Sequence, residues 1–325
     1  MKVSVLFALL GLRKPETKTR RSVQEAVIIG VSPIALAVLC AVATAASPLT
    51  VPFQLTYSQN MDARPSSDGR RFVYISVILG KEQLITMNAD GSQLAQITHD
   101  DADHEDESWS PNGRQIVFVR VSETEKRLYI VDSDGSHPRA VSPAGGHAIH
   151  PEWSPDGTKI IYSTDDDRYP PAKNPTDIIV VELATAKTTM LIKGDQDVNT
   201  YPQWSPDMKF IVWRRLQMPE QNSEVFVANA DGSDPHNITN NPAFDGWPAW
   251  SPDGQLIAFA SNRNSSGYQI FIMNPDGSDV RLVANTEGRA TSPRWSPDSK
   301  TIYFTNCVAR DYGTDCQVLV SRLRQ

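Results

Sequence analysis

Two stretches of the sequence carry side chains of the types that bind metal ions. Residues 99–107 read His-Asp-Asp-Ala-Asp-His-Glu-Asp-Glu, and residues 147–150 read His-Ala-Ile-His. Carboxylate oxygens suit Ca²⁺, and imidazole nitrogens suit Zn²⁺. The spacing matches no established ligand motif, and acidic runs of this kind are usually solvated loops. We therefore expect no cofactor, with Ca²⁺ or Zn²⁺ as the alternative.

The sequence lacks the short motifs that mark common catalytic sites. It contains no Gly-x-Ser-x-Gly nucleophile elbow, no glycine-rich phosphate-binding motif and no His-Glu-x-x-His zinc motif. A polysaccharide lyase would need histidines and basic residues that converge on one place. Only four of the six histidines, in residues 99–104 and 147–150, fall in neighbouring connections. We expect a protein that is not an enzyme; a metal-assisted polysaccharide lyase or hydrolase is the alternative.

Six further residues gain meaning from their spacing, because each lies three positions before a repeated motif. They are Asp62, Asp106, His150, Tyr201, Trp247 and Ser292. If the repeats superpose, these residues form a ring of two acids, an imidazole, two aromatic side chains and a hydroxyl. Such a mixture suits a protein or peptide partner, with Trp247 as the anchor. The other interpretation, ordinary loop residues without a shared role, stays open.

The motif that sets this spacing is Trp-Ser-Pro. A degenerate copy occupies residues 65–69, and full copies begin at Trp109, Trp153, Trp204, Trp250 and Trp295. The intervals of 44, 44, 51, 46 and 45 residues are the length of one four-stranded propeller blade. The sequence therefore predicts six blades in register.

Strand-like alternation follows each copy. An apolar residue lies seven positions after the motif begins and an aromatic residue nine positions after it, as at Ile116 and Phe118. This spacing is typical of a β-strand with one face buried. A second apolar run follows and ends, in four copies, on the hairpin signal Asp-Gly-Ser. Met208 and Ser299 replace the first turn's glycine in two copies, which predicts looser turns there.

The ends of the chain indicate how the ring closes. We name the four strands of each blade a to d, with strand a leading into the Trp. The sixth repeat stops at Gln325 without a strand d, while residues 53–56 match residues 95–98 of the next repeat. An N-terminal strand would complete the last blade and remove exposed sheet edges. The sequence predicts an all-β, six-bladed β-propeller over residues 47–325, closed in this way.

The connections divide between two faces. The a–b and c–d turns are short and alike, whereas the b–c connections, at 120–127, 164–176, 214–223, 261–268 and 305–316, differ from one another. The d–a connections lie on the same face as the b–c set. Variable loops on a rigid scaffold commonly carry binding sites. We therefore expect the function at the b–c and d–a face, around the mouth of the channel.

At this point the repeats resemble those of the TolB-like β-propeller family. The resemblance rests on Trp-Ser-Pro-Asp-Gly, the Ile-x-aromatic strand and the Asn-Ala/Pro-Asp-Gly-Ser turn, and it covers roughly residues 52–325. It implies a bacterial periplasmic propeller that binds partner peptides at its opening. We expect one departure from TolB, because the stretch between residue 47 and the first blade leaves no room for its additional N-terminal domain. Similar propellers occur beside peptidase domains and in polysaccharide lyases, so the resemblance implies the fold more strongly than the activity.

The N-terminal region predicts a location in the bacterial cell envelope. Residues 1–26 form a basic segment that we expect in the cytoplasm, and residues 27–46 are uncharged. Twenty residues of helix span about 30 Å, which is enough to cross a bilayer. One hydrophobic helix is therefore expected, either as a transmembrane signal-anchor or as a signal peptide cleaved near Ala45. The propeller would be exported and anchored in the inner membrane, or periplasmic or secreted after cleavage.

Charge and cysteine content agree with this location. The chain carries a net charge of −7, and subtracting the six basic and two acidic residues of 1–46 leaves 25 basic and 36 acidic residues, a net of −11, for 47–325. Such a surface argues against nucleic acid as a partner. Cys307 and Cys316 flank the last b–c connection, where antiparallel strands would bring them into bridging range in an oxidising compartment. We expect a disulfide-bonded monomer that binds a protein or peptide.

Overall fold

A computed structural model describes residues 53–54, 61–164, 175–264, 267–310 and 313–323. Its regular structure in these ranges consists of strands, which form six four-stranded antiparallel sheets, and no helix occurs among the described residues. The predicted all-β, six-bladed propeller is therefore confirmed. The hydrophobic helix predicted for residues 27–46 lies outside the described ranges.

In blades 1 to 5 the strands follow chain order from the innermost to the outermost position. Blade 1 contains β2 (Met61–Pro65), β3 (Arg71–Ile78), β4 (Lys81–Asn88) and β5 (Ala95–Gln96). Blade 2 contains β6 (Asp103–Trp109), β7 (Gln115–Val121), β8 (Lys126–Asp132) and β9 (Arg139–Ala140). Blade 3 contains β10 (Ile149–Trp153), β11 (Lys159–Ser163), β12 (Ile178–Glu182) and β13 (Thr188–Ile192).

The second half of the ring repeats this order. Blade 4 contains β14 (Val198–Trp204), β15 (Phe210–Gln217), β16 (Asn222–Asn229) and β17 (His236–Asn237). Blade 5 contains β18 (Asp245–Trp250), β19 (Ile257–Ser261), β20 (Gln269–Met273) and β21 (Arg281–Ala284). Blade 6 contains β22 (Arg289–Trp295), β23 (Thr301–Arg310), β24 (Gly313–Arg322) and, beside β24, β1 (Phe53–Gln54).

The six a strands, one from each blade, surround the central axis. Each contacts the a strand of the next blade, and β22 of the last blade contacts β2 of the first. Strand β1 lies antiparallel to β24, with Phe53 opposite Val320 and Gln54 opposite Leu319. Because residues 55–60 fall outside the described ranges, closure of the last blade by the N-terminal segment stays a prediction.

The hydrophobic core lies between the blades, in six layers. Each layer takes residues from two neighbouring sheets; in one of them, Ile75 of blade 1 packs with Trp109 and Phe118 of blade 2. The layer between blades 6 and 1 brings the rings of Phe72 and Tyr303 to a centroid distance of 5.0 Å. Because every blade is buried on both faces, its middle strands are almost continuously apolar.

In blades 2, 3 and 6 the repeated tryptophan donates a hydrogen bond to the preceding blade. The indole Nε1 of Trp109 donates a hydrogen bond of 3.2 Å to the carbonyl of Arg64, and Trp153 does the same to Ser108 at 3.2 Å. In both cases the carbonyl belongs to the residue immediately before the repeat position of the preceding blade. The indole nitrogens of Trp204 and Trp250 are buried without a hydrogen-bond partner among the described residues. Burial of the ring between blades, rather than this bond, is therefore what all five tryptophans share.

The turn after the motif has the same geometry whether or not it contains glycine. Gly157 takes a φ of 71° and donates its N–H to Ser154 at 2.8 Å. Met208 takes a φ of 59° and donates its N–H to Ser205 at 2.9 Å. Ser299, with a φ of 58°, keeps the same bond at 2.9 Å. The prediction of looser turns at Met208 and Ser299 is therefore wrong; the two residues adopt the left-handed conformation although it is unfavourable for side chains with a Cβ.

Strands b and c extend further than the sequence predicts. Only residues 122–125 separate β7 from β8, and only 218–221 separate β15 from β16. In blade 6, Cys307 lies directly opposite Cys316 within the β23–β24 ladder, and the two form a disulfide with an S–S distance of 2.06 Å. The predicted disulfide is confirmed, although the cysteines lie inside the strands rather than beside a long loop.

Candidate functional site

The six residues selected by their spacing share one backbone conformation. Each lies within strand a of its blade and has a left-handed φ between 51° and 56°; the six are Asp62, Asp106, His150, Tyr201, Trp247 and Ser292. We call this set the channel ring. Its members belong to the innermost strands, so the interpretation of them as loop residues is wrong.

A β-bulge produces this conformation in every blade. In blade 2, Glu105 pairs with Val119 and Ser108 pairs with Val117, which leaves Asp106 and Glu107 opposite a single residue. A corresponding shift of register occurs in the other five a strands. A left-handed non-glycine residue costs about 1–2 kcal/mol. Bulges of this kind re-aim side chains and are common beside functional sites.

Four members of the channel ring contact one another in blade order. The backbone N–H of His150 donates to Asp106 Oδ2 at 3.1 Å, and His150 Nε2 lies 3.9 Å from the same oxygen. The rings of His150 and Tyr201 have centroids 3.8 Å apart, and those of Tyr201 and Trp247 lie 5.7 Å apart. These contacts form an unbroken series across blades 2 to 5.

Two aromatic residues that the sequence analysis missed extend this series. Phe244 lies 5.6 Å from Trp247, and Tyr268 lies 5.4 Å from Trp247 and 5.1 Å from Phe244, measured between ring centroids. Phe244 directly precedes β18 and Tyr268 directly precedes β20, so both lie at the b–c and d–a end of the channel. We call His150, Tyr201, Phe244, Trp247 and Tyr268 the aromatic arc.

Arginine side chains cover part of the aromatic arc. The guanidinium of Arg214, which is buried, lies 5.5 Å from the ring centroid of Tyr201 and 5.3 Å from that of Phe244. The guanidinium of Arg289 lies 5.0 Å from the ring of Tyr268. Cation–π contacts of this length hold the rings in place.

Asp62 and Ser292 share the backbone position but not the contacts. The backbone N–H of Asp62 donates to Thr305 Oγ1 at 3.0 Å. Among the described residues, neither Asp62 nor Ser292 makes a side-chain hydrogen bond, ion pair or ring contact with the other four ring members. Four of the six residues therefore contact one another in series: Asp106, His150, Tyr201 and Trp247. Asp62 and Ser292 share only the equivalent backbone position.

A completely buried carboxyl group lies next to the channel ring. Glu107 is fully inaccessible, and neither of its oxygens has a hydrogen-bond partner among the described residues. Burial raises the pKa of Glu107 well above its usual range, against the opposing effect of Arg64 and with a further increase from Asp62. A carboxyl group in this environment favours its neutral form.

The opposite end of the channel contains a cavity of about 280 Å³, lined by residues of the Trp-Ser-Pro turns. Inside it, Arg64 Nη1 donates to Glu152 Oε2 at 2.5 Å, and Ser108 Oγ donates to Glu152 Oε1 at 3.1 Å. Gln203 and Arg294 also line the cavity. From the sequence, we expect function only at the other end of the channel, because the short turns at this end are alike in most blades.

The acidic and histidine-rich stretches serve local contacts. His104 is buried, with Nε2 at 3.2 Å from Asp100 Oδ1 and Nδ1 at 3.2 Å from the carbonyl of Glu82. Burial lowers the pKa of His104 despite the nearby Asp100. Within the ranges that the structure describes, no group of three or more His, Cys, Asp or Glu residues is placed to hold a metal ion.

In the described part of the chain, no helix has the length and apolar character that spanning a bilayer requires.

Six sheets around a channel with two chemically different ends define a six-bladed β-propeller. The family model of the TolB beta propeller domain matches residues 47–167 and 120–321, which together span most of the chain. The chain therefore belongs to the TolB beta-propeller family, and the resemblance seen in the repeats is confirmed.

Solved structures share this fold at low sequence identity. A protein assigned as TolB from Agrobacterium tumefaciens is 20% identical, with a TM-score of 0.64, over 84% of this chain and 97% of that one. TolB from Acinetobacter baumannii is 15% identical, with a TM-score of 0.60, over 85% of this chain and 66% of that one. Oligogalacturonate lyase from Vibrio parahaemolyticus is 12% identical, with a TM-score of 0.56, over 84% of this chain and 93% of that one. No curated protein matches the chain.

Proposed function

We propose that this protein is a non-enzymatic binding module that holds a segment of a protein partner at the b–c and d–a end of its channel. The observation that supports the proposal is the unbroken series of contacts from Asp106 through His150 and Tyr201 to Trp247. Four blades contribute to it from the same bulged position. A surface assembled in this way is rigid, so binding would cost little conformational entropy.

The composition of the site indicates the kind of segment. Tyr201, Phe244, Trp247 and Tyr268 are only partly buried, so their rings present apolar area to a ligand. Large aromatic side chains supply most of the energy at protein interfaces. Asp62 and Asp106 place negative charge beside this area. A segment with an apolar or aromatic residue next to a neutral or basic one would suit both parts, and the net charge of −11 over residues 47–325 would favour its approach.

We also propose that the propeller is exported and stays attached to the inner membrane through residues 27–46. Support comes from the uncharged segment preceded by basic residues, and from the Cys307–Cys316 disulfide, which suits an oxidising compartment. Sequencing the N-terminus of the mature protein distinguishes the two forms: a start at residue 1 supports the anchor, and a start near residue 46 supports cleavage.

The binding proposal is tested by affinity capture from a cell-envelope extract with the tagged 325-residue chain. Captured proteins are quantified by mass spectrometry for wild type, Trp247→Ala and His150→Ala. Phe210→Ala is the matched control, because Phe210 is an exposed aromatic residue at the start of β15, outside the aromatic arc. We expect Trp247→Ala to lower affinity for the partner roughly thirtyfold or more, as truncation of an anchor residue does.

Equal capture of the same proteins by wild type and both arc variants would contradict the proposal. So would cleavage of an acidic polysaccharide by the purified chain, together with a stoichiometric metal ion in elemental analysis, since these are the properties of the enzymatic alternative. The Phe210→Ala variant controls for the loss of an aromatic side chain elsewhere on the surface, and it should capture the partner as wild type does. Thermal unfolding of the two arc variants shows separately that each of them folds.

A further inference from the structure

The cavity at the Trp-Ser-Pro end of the channel has its own chemistry, separate from the aromatic arc. One residue per blade, the one immediately before the repeat position, reaches it: Arg64, Ser108, Glu152, Gln203, Ala249 and Arg294. The rings of Trp109, Trp250 and Trp295 and the prolines of the turns complete its walls. A volume of about 280 Å³ is at the lower limit for small-molecule sites, so it admits one small chemical group rather than a folded element.

Two of the charged groups in this cavity neutralise each other. Arg64, which is buried, forms an ion pair with Glu152 Oε2, and the other oxygen of Glu152 accepts a hydrogen bond from Ser108. Both oxygens of Glu152 therefore have protein partners. The Arg64–Glu152 pair contributes no net charge to the cavity.

The second guanidinium lacks a comparable partner. Arg294 Nη1 donates to the carbonyl of Pro293 at 3.0 Å, whereas Nε has no hydrogen-bond partner, and no acidic residue of the described ranges forms an ion pair with Arg294. Burial lowers the pKa of Arg294 and the positive charge of Arg64 lowers it further, against the opposing effects of Glu152, Asp62 and Glu107. Arg294 is partly buried and has no direct anionic partner among the described residues, so an anion that enters the cavity can pair with it.

A neutral donor lines the same cavity. The side-chain oxygen of Gln203 accepts a hydrogen bond of 2.6 Å from the backbone N–H of Trp250. A backbone N–H is only a donor, so this contact fixes which end of the amide is oxygen. The amide nitrogen of Gln203 then has two N–H groups, and no acceptor for them occurs among the described residues.

We infer that this cavity binds a single carboxylate, with Arg294 as the charged partner and the Gln203 amide as a second donor. The planar guanidinium matches the two oxygens of a carboxylate, and charge-assisted bonds of this kind are among the stronger polar contacts. Two sources have the required chemistry: the C-terminal carboxylate of a peptide and a small organic acid. The inference is independent of the proposed function, because it uses the other end of the channel.

The test is calorimetric titration of the 325-residue protein in a neutral detergent. The ligands are acetyl-alanyl-alanine as the free acid, the same peptide as its C-terminal amide, and lactate. We expect the free acid to bind at least tenfold more tightly than the amide, and Arg294→Gln to weaken binding of the acid by a similar factor. Arg281→Gln is the matched control; Arg281 is exposed on β21 and pairs with Asp279, so binding should not change.

Stronger binding of the peptide acid than of lactate would identify a peptide terminus as the source, and the reverse would identify a small acid. Equal binding of acid and amide, no binding of any carboxylate, or wild-type binding by Arg294→Gln would overturn the inference. If Arg294→Gln does not fold, Arg294→Lys replaces it. Lysine keeps the positive charge but lacks the planar pair of N–H groups that a guanidinium offers a carboxylate. The Arg294→Lys variant should therefore bind the acid more weakly than wild type does and still prefer the acid to the amide.

Discussion

At the scale of single residues, the fold strongly shifts the protonation of Glu107. Its carboxyl group is fully buried beside the bulged position of β6, and its pKa lies well above the usual value of 4.5. In the unfolded chain the carboxyl group ionises at its usual pKa, whereas in the folded chain it holds its proton to higher pH. As pH rises from about 4.5 towards the raised pKa, the unfolded state releases its proton first, and stability falls.

Glu107→Gln should therefore remove a decline in stability above pH 4.5. The neutral amide has the shape of the protonated carboxyl group, so the variant should resemble wild type near pH 4. At pH 7 to 8 it should be more stable than wild type, because the amide has no proton that the unfolded chain could release. Denaturant unfolding at several pH values measures this difference. Stability curves that run parallel for the two proteins from pH 4 to pH 8 would contradict the expectation.

At the scale of elements, the outer c–d turns fix the distance between neighbouring blades. Gly232, in the c–d turn of blade 4, packs so closely on blade 3 that a Cβ there would lie closer than any van der Waals contact to the carbonyl oxygen of Leu191. A Cβ on Gly277 of blade 5 would lie equally close to the carbonyl oxygen of Ile238 of blade 4. A rigid backbone carbonyl on the facing strand leaves no room for adjustment. These turns thus determine the separation of the sheets at the rim.

Gly232→Ala should destabilise the propeller through this contact. Gly80→Ala is the matched control, because Gly80 has nearly the same φ, 83° against 84°, and no described atom within 4 Å of its Cβ position. Both variants carry the cost of a left-handed alanine, about 1–2 kcal/mol. Only Gly232→Ala adds the clash, so thermal unfolding should show it to be less stable than Gly80→Ala by a further 1–3 kcal/mol or so. An equal loss of stability in the two variants would show that the backbone at the rim shifts to accommodate the new Cβ.

Features that recur at the same offset in every repeat could be predicted from the sequence. Features that occur in one blade alone could not. The spacing of Trp-Ser-Pro indicated the six blades, and the constant offset from it assigned Asp106 and Trp247 to equivalent positions from the residues alone. Phe244 and Tyr268 have no counterpart at the same offset in other blades, so no periodic signal marks them. The cation–π contacts of Arg214 and Arg289 with these rings depend on the directions of side chains from different blades. The spacing of residues along the chain does not indicate those directions.

At the scale of the whole molecule, the channel has one end suited to aromatic contact and another suited to a single anion. The bulge in each a strand separates them: the ring residues, such as Asp106, lie three positions before the Trp, and the cavity residues, such as Ser108, lie one position before it. The same six strands therefore present two different sets of side chains. Because the two sets of side chains lie at opposite ends of the channel, each proposal is tested by its own substitutions.

The integrity of this ring depends on how blade 6 obtains its fourth strand. Gln54 lies opposite Leu319 in the β1–β24 pairing, and residues opposite each other in antiparallel strands come within disulfide range. In a Cys40→Ser background, Gln54→Cys with Leu319→Cys should form a disulfide under mild oxidation, detected as a linked peptide pair by mass spectrometry. Gln54→Cys with Gln317→Cys is the matched control, displaced by two residues along β24.

We expect the in-register pair to link and the displaced pair to link far less, because a two-residue shift moves the Cα atoms apart by about 7 Å along the strand. A linked pair would join the N-terminal segment covalently to the last blade and raise the unfolding temperature, since the cross-link restricts the unfolded chain. If neither pair links, or if both link equally, the N-terminal segment does not hold this register. Blade 6 would then depend on its disulfide and on the Phe72–Tyr303 layer for its attachment to blade 1.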